Sequence, residues 1–377
     1  MFGALDGLSG LDIGLLRRNH FCIGVKRGKE YVCDDETDES MKSGTIDLLV
    51  EAVRRILRWR VWETQWIDEI MDEWLEKRDR LETQLRGRYS NEVIDDLLRL
   101  VNKFISYNER FWDYWRNVSD EVKRLINDLL NGRGKVIIWE GEKGISVYCE
   151  HITLDAHRTS TGIIVHLVLK DFEGVTIEVP DIFKKVMSED EYTKFVNEVL
   201  KALRGGFEET DGFIEKGYAG MGTTQVWQVI VWSLLYFGGM YVYIDAVNVN
   251  EGNVTITWHL KSSHNSLKGK VLGNAGKLSE EEILAFTFAA VLGDGSARIE
   301  KNGHGYDMAV IVITMSSEKF ERWESLIMRL KSMGFRSDKL HSEGNVVKVK
   351  FNSSNAIGLS RAMMAVLPPI LRDILDA

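Results

Sequence analysis

The sequence predicts an α+β fold, with a helical N-terminal region ahead of a pseudo-duplicated αββαββα core built on antiparallel sheets. Three observations carry that expectation. Residues 278–301, LSEEEILAFTFAAVLGDGSARIEK, read as a capped, almost wholly apolar helix running straight into a strand. From there to the C-terminus the pattern runs helix, strand, strand, helix, strand, strand, helix. The tetrapeptide EGNV occurs at 251–254 and again at 343–346, each time after a helix, a glycine and a strand, and Ser-Ser follows both hairpins.

Composition sets the frame. With 377 residues, 44% hydrophobic, 28% charged and three prolines, the chain reads as an ordinary globular protein of two or three domains. The expected divisions are a hairpin segment over 1–44, a helical bundle over 45–134, a degenerate half-core over 135–275 and a second half-core over 276–377. No apolar run reaches the ~20 residues of a membrane span, and residues 1–20 lack a basic start. The expectation is a cytoplasmic protein without a membrane partner. Glutamine occurs four times while Lys, Glu and Arg abound, a composition that leans toward a hot environment. The formal charge of −9 divides as −4 over 1–140, −4 over 141–277 and −1 over 278–377. Such acidity argues against indiscriminate nucleic-acid binding but leaves room for a local basic face.

Taken in order, residues 20–33 read as a hairpin turning at Arg27-Gly28, with Cys22 and Cys33 opposite each other as a disulfide or as two thiols. Residues 34–40, DDETDES, read as a solvated acidic loop. Residues 45–86 give one long helical pattern rich in tryptophan, a second stripe restarts near Ile94, and Ser119 is expected to cap a helix running to Leu130. The tryptophans are expected in the core, and the helices offer a stripe for a protein partner or a second copy of the chain. Strands follow at 136–139, 145–154 and 162–169, then a helix over 181–203. GYAGMG at 217–222 lacks the lysine of a phosphate loop and reads as a flexible connection with a threonine cap. A helix over 226–236 and strands at 241–248 and 255–261 form the first copy, after which 262–277 reads as a Ser/Gly/Lys linker. The helix expected to open that copy, 120–130, ends LLNGRG without a carboxylate.

The second copy is clearer. Ser279 and Glu282 make a capping box, and 283–292 has Thr287 as its only polar residue, so this helix should be buried all round. Ala289 and Gly293 are four apart, share a face and permit close approach of a partner helix. Asp294 is the anomaly, because a carboxylate at the negative end of a buried helix is disfavoured. It either opens a plain turn with Gly295 or faces a cation. Strand 306–314, helix 316–333, hairpin 340–351 and helix 355–367, halted by Pro368-Pro369, complete the pattern.

On LAFTFAAVLGDGSARI, on ERW at 321–323 and on PPIL at 368–371, the chain resembles the LAGLIDADG homing endonuclease family over about its last 100 residues. The resemblance implies two helices packed through small residues, each delivering one carboxylate to metal ions at double-stranded DNA. It makes Asp294 the catalytic acid, Asp294 with the adjoining Gly293 the metal position, and Mg2+ the cofactor. Lys319, Arg322 and Arg372 are the nearest basic groups. A second carboxylate would come from another subunit's Asp294 or from an unrecognised residue of the first half.

DNA contact would come from strand faces. Lys348, Lys350 and Asn352 alternate with apolar residues, Arg298 and Lys301 start the first strand, and Arg336, Lys339 and His341 lead into the last hairpin. In the first copy Thr255, Thr257, His259 and Lys261 make a similar face, suited to a two-stranded ribbon in the major groove. Without the resemblance these would be solvated outer faces. Three functions remain open from the sequence: a homing-endonuclease-type DNA-binding protein with Mg2+-dependent cleavage, a non-cleaving DNA-binding or mobile-element accessory protein, and a helix-mediated interaction scaffold.

Overall fold

The structure, a computed structural model, describes residues 13–27, 30–36, 39–139, 141, 143–159, 162–301, 305–343 and 345–377. The chain begins with α1 (Ile13–Leu16), the hairpin β1 (His20–Arg27) and β2 (Glu30–Glu36), and helices α2 (Glu39–Trp59), α3 (Gln65–Leu85) and α4 (Asn91–Leu130). Strands β3 (Lys135–Trp139), β4 (Gly144–Tyr148), β5 (Ile152–Thr159), β6 (Gly162–Leu169) and β7 (Val175–Val179) follow. After α5 (Phe183–Val186), α6 (Glu189–Phe195) continues through a π-helical turn (Val196–Leu200) into α7 (Lys201–Glu209). Then come β8 (Gly212–Glu215), β9 (Tyr218–Thr223), α8 (Val226–Leu235), β10 (Gly238–Val249) and β11 (Val254–Asn265). The last stretch is α9 (Glu280–Asp294), β12 (Gly295–Lys301), β13 (Asp307–Ser316), α10 (Ser317–Ser332), β14 (Asp338–Glu343), β15 (Val346–Asn352), α11 (Ser353–Ala365) and α12 (Pro369–Asp376). The fold is mixed α+β, with parallel pairing of β1 and β3 and antiparallel pairing elsewhere among the registered strands. No described helix is long and apolar enough to cross a membrane.

The chain divides into two compact units. The first comprises residues 1–75, 104–175 and 243–258. Its strands follow the order β2-β1-β3-β4-β5-β6-β10, and α2 packs on β4, β5 and β6. Trp66, Trp74, Trp115 and Trp258 are core here, while Trp59, Trp62 and Trp112 are half-buried. Trp66 meets Phe111 and Trp115 edge-on, and Trp74 stacks on Phe104 and abuts Trp258 edge-on. The single helix expected over 45–86 is two, because Arg60 takes φ 45° and turns the chain. That break is fixed by its neighbours: the indole N–H groups of Trp66 and Trp115 both donate to the Val61 carbonyl, at 3.1 and 3.2 Å. Residues 91–130, expected as two segments, form one helix. Ser119 sits inside it and donates back to the Arg116 carbonyl instead of capping a new start. The strand expected over 145–154 is likewise two, closed by the Cys149 amide on the Ile152 carbonyl. Cys22 and Cys33 are joined as a disulfide. A bulge between Ile23 and Gly24 sets Cys33 opposite Gly24, so the two cysteines lie diagonally across the hairpin. Gly28 and residues 37–38 of the acidic stretch lie outside the described residues, and the rest of that stretch is not loop, since residues 34–36 end β2 and residues 39–40 open α2.

The second unit comprises residues 76–103, 176–242 and 259–377. Its strands follow two paths, β8-β9-β11-β10 and β12-β13-β15-β14, which are the same order in two successive runs of the chain. GYAGMG is not a flexible connection: Gly217 (φ 88°) completes with Lys216 (φ 52°) the turn from β8, the remaining residues belong to strand β9, and bare Gly220 lies under the Phe213 ring. The predicted central helix is the centre of this unit. Every residue of α9 from Ile283 to Val291 is buried, and the capping box is formed by Ser279 and Glu282. Thr287, its one interior polar residue, returns its hydroxyl to the Ile283 carbonyl at 2.7 Å.

Candidate functional site

The helix that packs along α9 is α7, not the stretch 120–130 that the sequence suggested. The packing depends on small residues. A Cβ on Gly206 of α7 would overlap the Phe286 carbonyl oxygen and stand 2.8 Å from the Ala289 Cβ. At the far end, a Cβ on Gly293 would overlap the Thr210 side chain and stand 3.3 Å from Asp211 Oδ2. The two helices therefore run backbone to backbone and finish together, α7 into Thr210-Asp211-Gly212 and α9 into Gly293-Asp294-Gly295.

This places two carboxylates side by side, Asp211 and Asp294. Burial, and then the negative charge of Asp294, push the Asp211 carboxyl above its ordinary pKa, while Gln228 and Lys319 pull it back. Gln228 of α8 donates to Asp211 Oδ2 at 3.3 Å and to the Leu292 carbonyl at 2.9 Å, closing an otherwise open acceptor near the end of α9. Its own amide oxygen accepts from the Thr223 hydroxyl. The cation that Asp294 demanded is Lys319. Its ammonium lies 2.6 Å from Asp294 Oδ2, held on the first turn of α10 behind the Ser316 cap.

A second layer fixes α7. Glu208 is fully buried, and its carboxylate accepts from the Tyr236 hydroxyl at 2.6 Å, the Ser266 hydroxyl at 2.5 Å and the amides of Leu267 and Lys268 at 2.7 and 3.0 Å. The segment read as a linker thus wraps the buried acid. Glu209 accepts from the Gly269 amide and lies 3.8 Å from Arg322, three residues beyond Lys319 on α10. One face of α10 therefore reaches the ends of both central helices.

The like charges give a pH signature. Because the folded state raises the Asp211 pKa, the ionised acid weakens the fold, and the penalty is complete only above that raised value. Below the ordinary carboxylate pKa both states are protonated and no penalty remains. Asp211→Asn should therefore raise the melting temperature in chelating buffer at neutral and alkaline pH. The gain should shrink as pH falls through the raised value and vanish in acid. Calorimetry across pH reads this directly, and a gain independent of pH would contradict it.

The proposed DNA-contact residues do not form one surface. Ser296, Arg298 and Glu300 share one sheet face with Thr314, Lys348, Lys350 and Asn352 by the registers of β12, β13 and β15. On it Glu300 sits between Arg298, at 2.5 Å, and Lys350, at 2.8 Å, which hold its carboxyl below the usual range. Lys301 pairs with Asp307 at 2.6 Å, and Lys261 with Glu215 at 2.5 Å. Thr255 accepts from Asn250 and Thr257 from Asn248, both in the first unit, while His259 meets Phe213 edge-on in the second. Arg336 is exposed beyond α10, and Arg372 lies on α12 beside Tyr89 and Asp373. Lys339 and His341 belong to β14, with side chains outside the described residues. Asp211, Gln228 and Glu300 were missed by the sequence reading. The available signal was spacing: Gly206 precedes Asp211 by five residues as Ala289 precedes Asp294, and a glycine follows each acid.

No family model and no curated protein matches the chain. Among solved structures, it is similar to the N-terminal LAGLIDADG domain of DUF199/WhiA, at 14% identity and a TM-score of 0.31, over 46% of this chain and 85% of that one. It is also similar to the meganuclease I-SmaMI bound to uncleavable DNA, at 15% identity and a TM-score of 0.29, over 47% of this chain and 86% of the other.

Proposed function

We propose that the chain is a double-stranded DNA-binding protein of homing-endonuclease type whose Asp211–Asp294 pair serves Mg2+-dependent phosphodiester cleavage. The observation that carries this reading is the meeting of two carboxylates at the ends of two helices packed through glycine. The two αββαββ runs, 189–265 and 280–352, are read as halves of a duplicated core, and the pair within one chain makes no demand for a second subunit's acid. The donor set suits magnesium, which takes one or two carboxylates together with water and substrate phosphate. Among the described residues no group of three or more His, Cys, Asp or Glu stands ready as an all-protein cage for a metal.

Asp211 and Asp294 would hold the ion, which when bound supplies charge neutralisation at the phosphodiester and an activated water. The chain's own groups do the rest. Gln228 orients the Asp211 carboxylate, and Gly206 and Gly293 set the separation of the two acids. Lys319 brings an ammonium within reach of a phosphate oxygen. The face carrying Arg298, Lys348, Lys350 and Asn352 would lie along the duplex, contacting phosphates and base edges.

Binding to a random-sequence duplex library, titrated with salt, tests the DNA face. Lys350→Ala should weaken binding across sequences and flatten the log–log salt slope by about one. Glu300→Gln, which releases both Arg298 and Lys350, should tighten it. Unchanged affinity in both variants would remove this face from the interface. One observation favours a second reading, a DNA-binding protein that does not cleave: Asp294 already has its cation in Lys319.

A further inference from the structure

The Lys319 ammonium occupies the place beside Asp294 where a metal's positive charge would act. Its side chain is 15% exposed and that of Asp294 33%, so the pair is partly withdrawn from water and is not a freely exchanging surface contact. Lys319 is also the charge that offsets the Asp294–Asp211 repulsion, since it draws the Asp211 pKa down while Asp294 drives it up. A divalent cation entering between the two acids would meet a fixed positive charge 2.6 Å from one of its ligands. That charge has to be led away first. The side chain is a flexible four-carbon stem on the first turn of α10, so its ammonium can swing without moving the helix. A DNA phosphate is the partner that would draw it off, since it offers a competing anion and brings further oxygen ligands for the ion.

We propose that Lys319 is a latch: in the free protein it holds Asp294 as an internal cation, and duplex DNA releases that acid so that the metal binds only with its substrate. The proposal rests on the reading of Asp211 and Asp294 as metal ligands. It makes metal and duplex binding mutually reinforcing, each raising the affinity for the other by the same factor. Lys319 is here a positioning residue, acting on the metal through Asp294.

The test is Mn2+ binding to the full-length chain, followed by loss of the free-ion electron paramagnetic resonance signal, with circular dichroism to confirm folding. Lys319→Met in the absence of DNA should bind Mn2+ roughly fivefold more tightly than wild type, the upper end for one ion pair that is only partly withdrawn from water. Lys319→Arg, which keeps the charge, should bind as weakly as wild type. A random-sequence duplex should raise the wild-type affinity and leave Lys319→Met little changed. Lys319→Ala serves as a second neutral variant should the methionine misfold. Equal Mn2+ affinity for wild type and the neutral variants, with binding abolished by Asp211→Asn, would overturn the latch and leave the metal site standing. Absence of binding above the Asp294→Asn background in every version, with or without duplex, would overturn the site reading and the latch with it.

Discussion

Gly206→Val should destabilise the second unit by about 3 kcal/mol, the upper end of the usual cost of overpacking a close-packed interior. The first added atom already overlaps the Phe286 carbonyl, which is backbone and cannot rotate aside, and lies 2.8 Å from the Ala289 Cβ. Valine adds two methyl groups to that overlap, so α7 and α9 must part along their length. Against a typical net stability of roughly 5–15 kcal/mol, such a loss is large. It should also carry Asp211 away from Asp294, so the raised Asp211 pKa should return toward its ordinary value as the like charge recedes. Gly273→Ala is the control: it lies in the same unit, a Cβ there meets nothing within 4 Å, and its effect should stay within about 0.5 kcal/mol. Chemical denaturation of both variants separates a packing defect from a general intolerance of glycine replacement.

How much of this was legible in the sequence follows from how local each signal is. Helix α9 announced itself because its cap, its apolar run and its Gly-Asp-Gly end all lie within one short window. Its partner did not. Helix α7 carries Gly205 and Gly206 in its interior, each costing a helix about 1 kcal/mol relative to alanine, so it reads as a poor helix. It also carries Arg204, Glu208 and Glu209, which look like a solvated face. Glu208 and Glu209 are buried and Arg204 half-buried because distant groups satisfy them: Arg204 donates to the Leu235 carbonyl at 2.6 Å, and Glu208 is met by Tyr236 and by the segment 266–268. No periodicity shows a partner some 60 residues away. For the same reason 262–277 read as a linker, since its polar and glycine-rich composition hides backbone amides committed to a buried acid. Strand β9 was hidden by its two glycines, Gly220 and Gly222, the first of which is bare to seat the Phe213 ring. Electrostatics left Asp294 either opening a plain turn or facing a cation, which the resemblance made a metal ion. That the cation would be Lys319 required the placement of α10.

The pattern of the strand faces was visible, but their charge balance was not. Alternation located Lys348, Lys350 and Asn352 on one side of β15, and the registers bear that alternation out. The sequence could not show that Glu300 would stand between Arg298 and Lys350, because that pairing joins strands some 50 residues apart. The basic face is thus partly neutralised within the fold itself, in keeping with a chain of net charge −9.

The largest effect on activity is expected from the acids themselves. A metal held by only two carboxylates loses half its protein ligands when either becomes an amide, whereas altering an outer-shell group alone commonly costs 10–100-fold. Asp294→Asn and Asp211→Asn should each therefore reduce cleavage by roughly 10²-fold or more. Both variants keep the shape of the side chain, and Asp211→Asn is expected to stabilise the fold at neutral pH, so its lost activity cannot be ascribed to unfolding; Asp294→Asn leaves the Lys319 ammonium unpaired, and circular dichroism of that variant separates lost activity from lost structure. Nicking of a supercoiled plasmid library in magnesium, compared among wild type, Asp211→Asn and Asp294→Asn, is the most direct test. The account predicts nicking by wild type and near-complete loss in both variants. Equal nicking by wild type and either variant, or none by the wild type, would contradict it.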